Sequence, residues 1–311
     1  MNRTSLWKLG LLGILAVSAL SGCEKNDARE LEEQETRLLQ QYLASNNINA
    51  DPTASGLYYI PIVEGTGMSP RVGTWVEIHY SGELLDGTVF STSQEQKAEL
   101  HGISDANFLY GPARLQVGYI GLAGLNEGLQ LMKVGGEAKF IIPSSLGFGG
   151  FQTGNVPAYS TLIYTVRLLE AFDDPDQHEQ GLIWAYLKRN AFERVDSTAS
   201  GLYYIRKKVG TGELFMDGDE VDVWYTGKFL DGRVFDSNIG GNAFSLFLPG
   251  TGIIEGWQEG LKLMRNEEEG ILIIPYHLAY GPAGRSDQYG RIVIPPYMTL
   301  VFEMRTELVP N

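Results

Sequence analysis

Two hydrophobic periods alternate along the 311-residue chain. Residues 28–45 place Leu31, Leu38, Leu39 and Leu43 at near-helical spacing in a charged background, and residues 180–190 do the same with Leu182, Ile183, Tyr186 and Leu187. After each stretch the period falls to two. Val76, Ile78 and Tyr80 point one way in the first half. Val221, Val223 and Tyr225 oppose Asp222 and Trp224 in the second, and Leu300, Phe302 and Met304 oppose Val301, Glu303 and Arg305. Such alternation predicts half-buried antiparallel strands. Asp86-Gly87 and Asp231-Gly232 carry the signal of tight turns. Residues 257–264 return briefly to helical spacing. Each half therefore reads as an α+β unit: a twisted antiparallel β-sheet wrapped on one short helix and preceded by a helical segment.

The halves repeat each other. Thr53-Ala54-Ser55-Gly56-Leu57-Tyr58-Tyr59-Ile60 recurs letter for letter from Thr198 to Ile205, a spacing of 145 that also maps Tyr80 onto Tyr225, Asp86-Gly87 onto Asp231-Gly232 and Phe90 onto Phe235. Beyond these, Glu127 to Met132 matches Glu259 to Met264, and Ile141-Ile142-Pro143 matches Ile273-Ile274-Pro275, at a spacing of 132. The first copy thus holds about 13 additional residues between Phe90 and Leu125. A period this long marks a duplicated domain, since solenoid repeats run about 20–50 residues.

Composition adds three points. A formal charge of −14 opposes nucleic-acid binding, which needs a basic surface. The acids around 24–35 and 173–176 read as solvated linker. The four histidines are scattered without ligand spacing, and the glycines at 118, 121 and 124 lack a phosphate-loop lysine, so neither a metal nor a nucleotide is expected. The single cysteine, Cys23, excludes an intrachain disulfide. It follows Arg3, Lys8 and an apolar run from Leu9 to Leu20, which is short of the ~20 residues a bilayer span takes. Leu20-Ser21-Gly22-Cys23 resembles a bacterial lipobox, and that resemblance makes Cys23 the lipidated residue of a membrane anchor.

The second copy carries, in order, Val223-Trp224-Tyr225-Thr226-Gly227, Asp231 to Ser237, Ile253-Ile254-Glu255-Gly256-Trp257, Pro275 to Gly281, and Ile294 to Phe302. This series resembles the FK506-binding-protein (FKBP) family of peptidyl-prolyl cis-trans isomerases, and the whole chain resembles tandem lipoprotein members of it. The resemblance implies two FKBP-like domains and a pocket without cofactor or metal. Trp257 would be the floor under a proline ring, with Tyr225, Phe235 and Phe302 as walls and Asp236 at the polar edge. Ile254 would offer its backbone N–H and Tyr280 its hydroxyl to substrate carbonyls. Phe244, Ile253, Val293 and Ile294 would complete the substrate surface. On this basis residues 1–22 are a lipoprotein signal peptide and 23–52 the anchor, linker and helix. Residues 53–172 form domain 1, 173–197 an acidic linker and helix, and 198–311 domain 2.

Departures from the family pattern refine these expectations. Gly241 stands where better-known members place an arginine that pairs with the pocket aspartate. The loop from 281 to 291 is long and makes Arg285 and Tyr289 candidate substrate contacts. In the first copy Ser91, Leu125 and Phe148 replace Asp236, Trp257 and Tyr280, Tyr164 replaces Phe302, and 155–158 reads Asn-Val-Pro-Ala. The first domain is therefore expected to be weakly active or inactive. The expected partners are X-Pro-containing exported polypeptides and a membrane; the two leading helices could pair copies into a homodimer, which the sequence does not establish. The cell envelope is the expected location, the outer membrane facing the periplasm being favoured over the inner. The alternative function is a membrane-anchored chaperone in which isomerisation is incidental.

Overall fold

The computed structural model describes residues 17–288 and 290–309, with side chains from residue 28 onward. Most of the expected signal peptide, the side chain of Cys23, and Tyr289 lie outside the described residues. The chain divides into two units, one of Met1–Ser104 with Gly111–Ala171 and one of Asp105–Tyr110 with Phe172–Asn311. Among the described residues no helix is long and apolar enough to cross a membrane.

The first unit opens with helix α1 (Val17–Ser45). Strands β1 (Tyr58–Val63), β2 (Trp75–Leu84), β3 (Val89–Thr92), β4 (Ala113–Gln116), β5 (Glu137–Ile142) and β6 (Leu162–Phe172) form one antiparallel sheet in the order β1-β5-β6-β2-β3, with β4 also on β2. Helices α2 (Glu95–Leu100) and α3 (Ala123–Gln130) lie between strands in sequence.

The second unit has the same plan. Helix α4 (Pro175–Asn190) is followed by β7 (Asp196–Ser197), β8 (Tyr203–Lys208), β9 (Thr211–Leu214), β10 (Glu220–Phe229), β11 (Val234–Ser237) and β12 (Phe244–Phe247). Helix α5 (Glu255–Leu261) precedes β13 (Arg265–Asn266), β14 (Glu269–Ile274), β15 (Arg285–Ser286), β16 (Ile292–Ile294) and β17 (Leu300–Leu308). The main sheet runs β11-β10-β17-β14-β8-β7, with β12 also on β10. The predicted α+β class and the short helix are both present, the helix starting two residues before the first predicted position.

Close approach of α5 to the sheet explains two glycines. A Cβ on Gly256 would stand 2.3 Å from the Ile274 side chain, and one on Gly260 would stand 2.2 Å from Leu272. Glycine at these i, i+4 positions lets the helix lie directly on β14 and turns Trp257 into the core at 5% exposure.

The leading helices differ from the linker reading. Asp174 caps α4, its carboxylate accepting from the Gln177 N–H at 3.0 Å, and Pro175 occupies the first turn. Ile183 of α4 is buried against Ile205, Ile271, Ile273 and Val301 on the sheet face that the strand alternation assigned to solvent. Leu39 and Leu43 of α1 do the same against Tyr58 and Ile141. The central strands are therefore buried on both faces, because each sheet carries a short helix on one side and its leading helix on the other.

Candidate active site

Strand register brings the walls together. Gly227 of β10 pairs with Phe302 of β17, and Tyr225 with Met304 two places along. A Cβ on Gly227 would stand 2.7 Å from the Phe235 ring and 3.0 Å from Phe302, so glycine there gives both aromatics their seat over the strand. Trp257 meets Tyr225, Phe302 and Phe244 edge-on, with ring centroids 4.9, 5.2 and 5.9 Å apart. Phe235 meets Phe302 edge-on at 5.6 Å. The result is a rigid right-angled box of aromatic faces.

The cavity above Trp257 has a volume of about 460 Å³. Tyr225, Phe235, Asp236, Trp257, Tyr280 and Phe302 all line it. Phe244, Ile253, Ile254, Val293 and Ile294 line it too, so all eleven residues expected at the pocket converge on one space. The sequence reading placed Arg285 near the substrate and missed Gly252 and Asp287, which also line the cavity.

Polar groups are few and directed. The Tyr225 hydroxyl donates to Asp236 at 2.8 Å, and Asn238 holds the Tyr225 backbone by accepting its N–H at 2.7 Å. The Arg285 guanidinium lies 5.6 Å over the Tyr280 ring and donates to its hydroxyl at 3.4 Å. Arg285 lines the cavity, and Gly241, where the resemblance led an arginine to be looked for, does not. The Trp257 indole N–H is buried without a hydrogen-bond partner among the described residues. Ile254 occupies the position just before α5 in extended conformation, which leaves its N–H outside the helical ladder.

Burial, then the hydrogen bond to Asp236, the Asp236 charge and nearby Tyr280 raise the Tyr225 pKa, against a smaller opposing effect of Arg285. The phenol therefore stays protonated through its ordinary value of 10.0. The stability it contributes is complete below that pH and is lost only as pH climbs beyond it. A pH titration followed by phenolate absorbance should accordingly find Tyr225 still protonated at that value and ionising only above it. Ionisation of Tyr225 at or below that value would contradict a phenol that is bonded to the Asp236 carboxylate.

The equivalent place in the first unit is built differently. The Tyr80 hydroxyl shares a hydrogen bond with Ser91 Oγ at 3.2 Å instead of meeting a carboxylate. Leu125 is buried at the floor position, and Tyr164 lies tilted against Tyr80 at 6.0 Å and edge-on to Phe90 at 5.9 Å. Burial raises the Tyr164 pKa, followed by a smaller effect of Tyr80. Phe148, partly buried against this core, brings no hydroxyl.

A family model for FKBP-type peptidyl-prolyl cis-trans isomerases matches residues 67–169 and 212–306, more than half of the chain and both units. The chain belongs to this family. The FKBP-type 22 kDa isomerase of Escherichia coli K12 is 36% identical over 191 residues, covering 58% of this chain and 89% of that protein. FkpA of Aeromonas hydrophila is 35% identical over 132 residues, 42% of this chain and 44% of that one. Human FKBP9 is 26% identical over 233 residues, 75% of this chain, and the chain spans only 34% of its length. The same family model matches once in each unit, so both units are FKBP-like domains. Among the described residues no cluster of three His, Cys, Asp or Glu side chains is arranged to hold a metal ion.

Proposed function

We propose that the second unit catalyses cis-trans isomerisation of X-Pro bonds in exported polypeptides. The observation that carries this reading is the convergence of all eleven pocket residues on one aromatic cavity. Twisting a peptide bond costs about 18–20 kcal/mol because amide resonance is lost. The planar amide is the more polar form, so a cavity that strips water from it favours the twisted one. The Ile254 N–H and the Tyr280 hydroxyl are placed to hold the flanking carbonyls while the proline ring rests on Trp257. Binding that fits the twisted form better than either planar form lowers the barrier without any covalent step.

The test is the full chain assayed on a panel of proline tetrapeptides. A catalysed rate above the spontaneous one, saturable and competed by a proline-containing ligand, supports the reading. No acceleration across the panel ends it.

The first unit is the weaker catalyst in this proposal, because Ser91, Leu125 and Phe148 supply neither the carboxylate, the indole floor nor the hydroxyl. Those same losses favour a second role for that unit as a holder of unfolded clients. Anchoring through Cys23 at the cell-envelope membrane rests on the apolar run and lipobox-like residues before it. Cys23→Ser should release the protein from the membrane fraction. Retention of that variant in the pellet would remove the anchor from the proposal.

A further inference from the structure

The leading helices carry a repeat of their own. Glu35, Leu38, Leu39, Tyr42 and Leu43 recur as Glu179, Leu182, Ile183, Tyr186 and Leu187 at a spacing of 144. Leu39, Tyr42 and Leu43 dock the first helix on its sheet, and Ile183, Tyr186 and Leu187 the second. The glutamates need another explanation, since a carboxylate is buried only where hydrogen bonds replace its water.

Glu179 is 5% exposed. Its Oε1 accepts from the Tyr276 N–H at 3.0 Å and from the Thr299 hydroxyl. Glu35 makes the same pair of links in the first unit, to the Ser144 N–H at 2.6 Å and to the Thr161 hydroxyl at 2.7 Å, with the Ser144 hydroxyl at 2.5 Å besides. Tyr276 and Ser144 each begin a short 3-10 turn after the fifth-strand equivalent, and Thr299 and Thr161 each stand just before the last long strand. One carboxylate thus joins the two roots of a long loop in each copy.

In the second unit that loop, 276–299, carries Tyr280, Arg285, Asp287, Val293 and Ile294, all of which line the cavity. Its roots are held further by the Tyr276 hydroxyl on Asp176, and by the Tyr276 ring edge-on to Tyr297 at 4.9 Å. The loop makes a short hairpin of its own, β15 with β16, braced by Arg291 Nε on Asp287 at 2.6 Å, and returns on itself where the Tyr297 N–H donates to the Gly281 carbonyl at 3.2 Å. Those bonds shape the loop internally, and the Glu179 carboxylate adds the tie between its first and last residues, Tyr276 and Thr299.

We propose that Glu179 is a positioning residue for isomerisation, its carboxylate fixing both roots of loop 276–299 so that Tyr280 and Ile294 keep their places on the pocket wall. The proposal rests on the second unit being the catalytic one. It also makes α4 part of that catalytic domain.

The experiment uses the full chain with Glu179→Leu, Glu179→Gln, Thr299→Val, Thr299→Ser and, as a control, Glu35→Leu. Thermal unfolding, amide exchange of peptides from 276–299, and kcat and KM separately are read for each. Glu179→Leu and Thr299→Val should speed loop exchange and lower kcat/KM about tenfold or more, since misplacing catalytic groups by around 1 Å costs up to ~100-fold. Glu179→Gln and Thr299→Ser retain the acceptor and the hydroxyl, and should recover activity to within about threefold of wild type. Glu35→Leu should leave kcat/KM unchanged. Unaltered loop exchange in Glu179→Leu, or faster exchange with undiminished kcat/KM, overturns the proposal. So does activity that follows the melting temperature alone, with no recovery in the conservative variants. Should Glu179→Leu not fold, the Thr299 pair decides by the same criteria. Wild-type protein without isomerase activity would sink the functional assignment, while loop exchange would still report whether the clamp exists.

Discussion

Trp257→Leu in the full chain is expected to lower kcat/KM for a proline tetrapeptide about thirtyfold, with the protein still folded. Three edge-on aromatic contacts disappear with the indole, to Tyr225, Phe302 and Phe244. Each such pair is worth about 0.5–1.5 kcal/mol. If some 2 kcal/mol of this is expressed in how well the pocket fits a twisted amide, the rate falls about thirtyfold, at 1.36 kcal/mol per tenfold. Leucine packs at this position without unfolding the sheet, because the first unit already buries Leu125 there at 5% exposure. The measurement is stopped-flow isomerisation beside a thermal melt. Because the first unit stays intact in this variant, the residual rate also reports what that unit contributes. A rate within threefold of wild type would mean that the indole is no floor, or that catalysis resides in the other unit.

Glu268→Ala is expected to remove about 3 kcal/mol from the stability of the second unit. Glu268 is fully buried, and its carboxylate accepts from the Tyr204 hydroxyl, from Arg206 Nε at 2.8 Å and from the Gly210 N–H at 3.4 Å. Alanine leaves the buried Tyr204 hydroxyl without its acceptor and Arg206 without its counter-charge. Breaking a buried charged pair typically costs about 3–5 kcal/mol, and the half-exposed guanidinium puts this site at the lower end. Glu268→Gln keeps an acceptor and should cost less. Burial first, then the hydrogen bond to Glu268 and its charge, raise the Tyr204 pKa. The network therefore contributes fully below the ordinary phenol value of 10.0 and weakens as pH rises past it. Urea unfolding, fitted to the transition of the second unit, measures the loss. A change under 1 kcal/mol would mean that water replaces the carboxylate at no cost.

The pocket was legible in the sequence because its residues belong to short motifs whose order survives in the chain. Tyr225, Asp236, Trp257 and Phe302 each sit in a run of neighbours that narrows the choice, and each lines the cavity. The altered composition of the first site was legible for the same reason, through the single letters at Ser91, Leu125 and Phe148. Glu35 and Glu179 were not. They lie in acidic surroundings that favour a solvated reading, and the partners of Glu179 are 97 and 120 residues away in the chain. Comparison of the two leading helices at a spacing of 144 was the signal available, and it becomes meaningful once the glutamates are seen to be bonded. Val301 misled in a different way. Its alternation with Phe302 placed it in solvent, yet it is 1% exposed under α4.

What the sequence determined by itself was the duplication and the α+β class, since periodicity and turn signals are local properties that need no partner, while the expectation of one pocket came from the resemblance of its ordered motifs to a family. The tertiary structure alone decided which acids are buried and which strand faces are covered. It also decided that Arg285 supplies a cation at the Tyr280 hydroxyl. Those are questions of which distant surface arrives at a given atom, and hydrogen bonding and burial are settled only when it does.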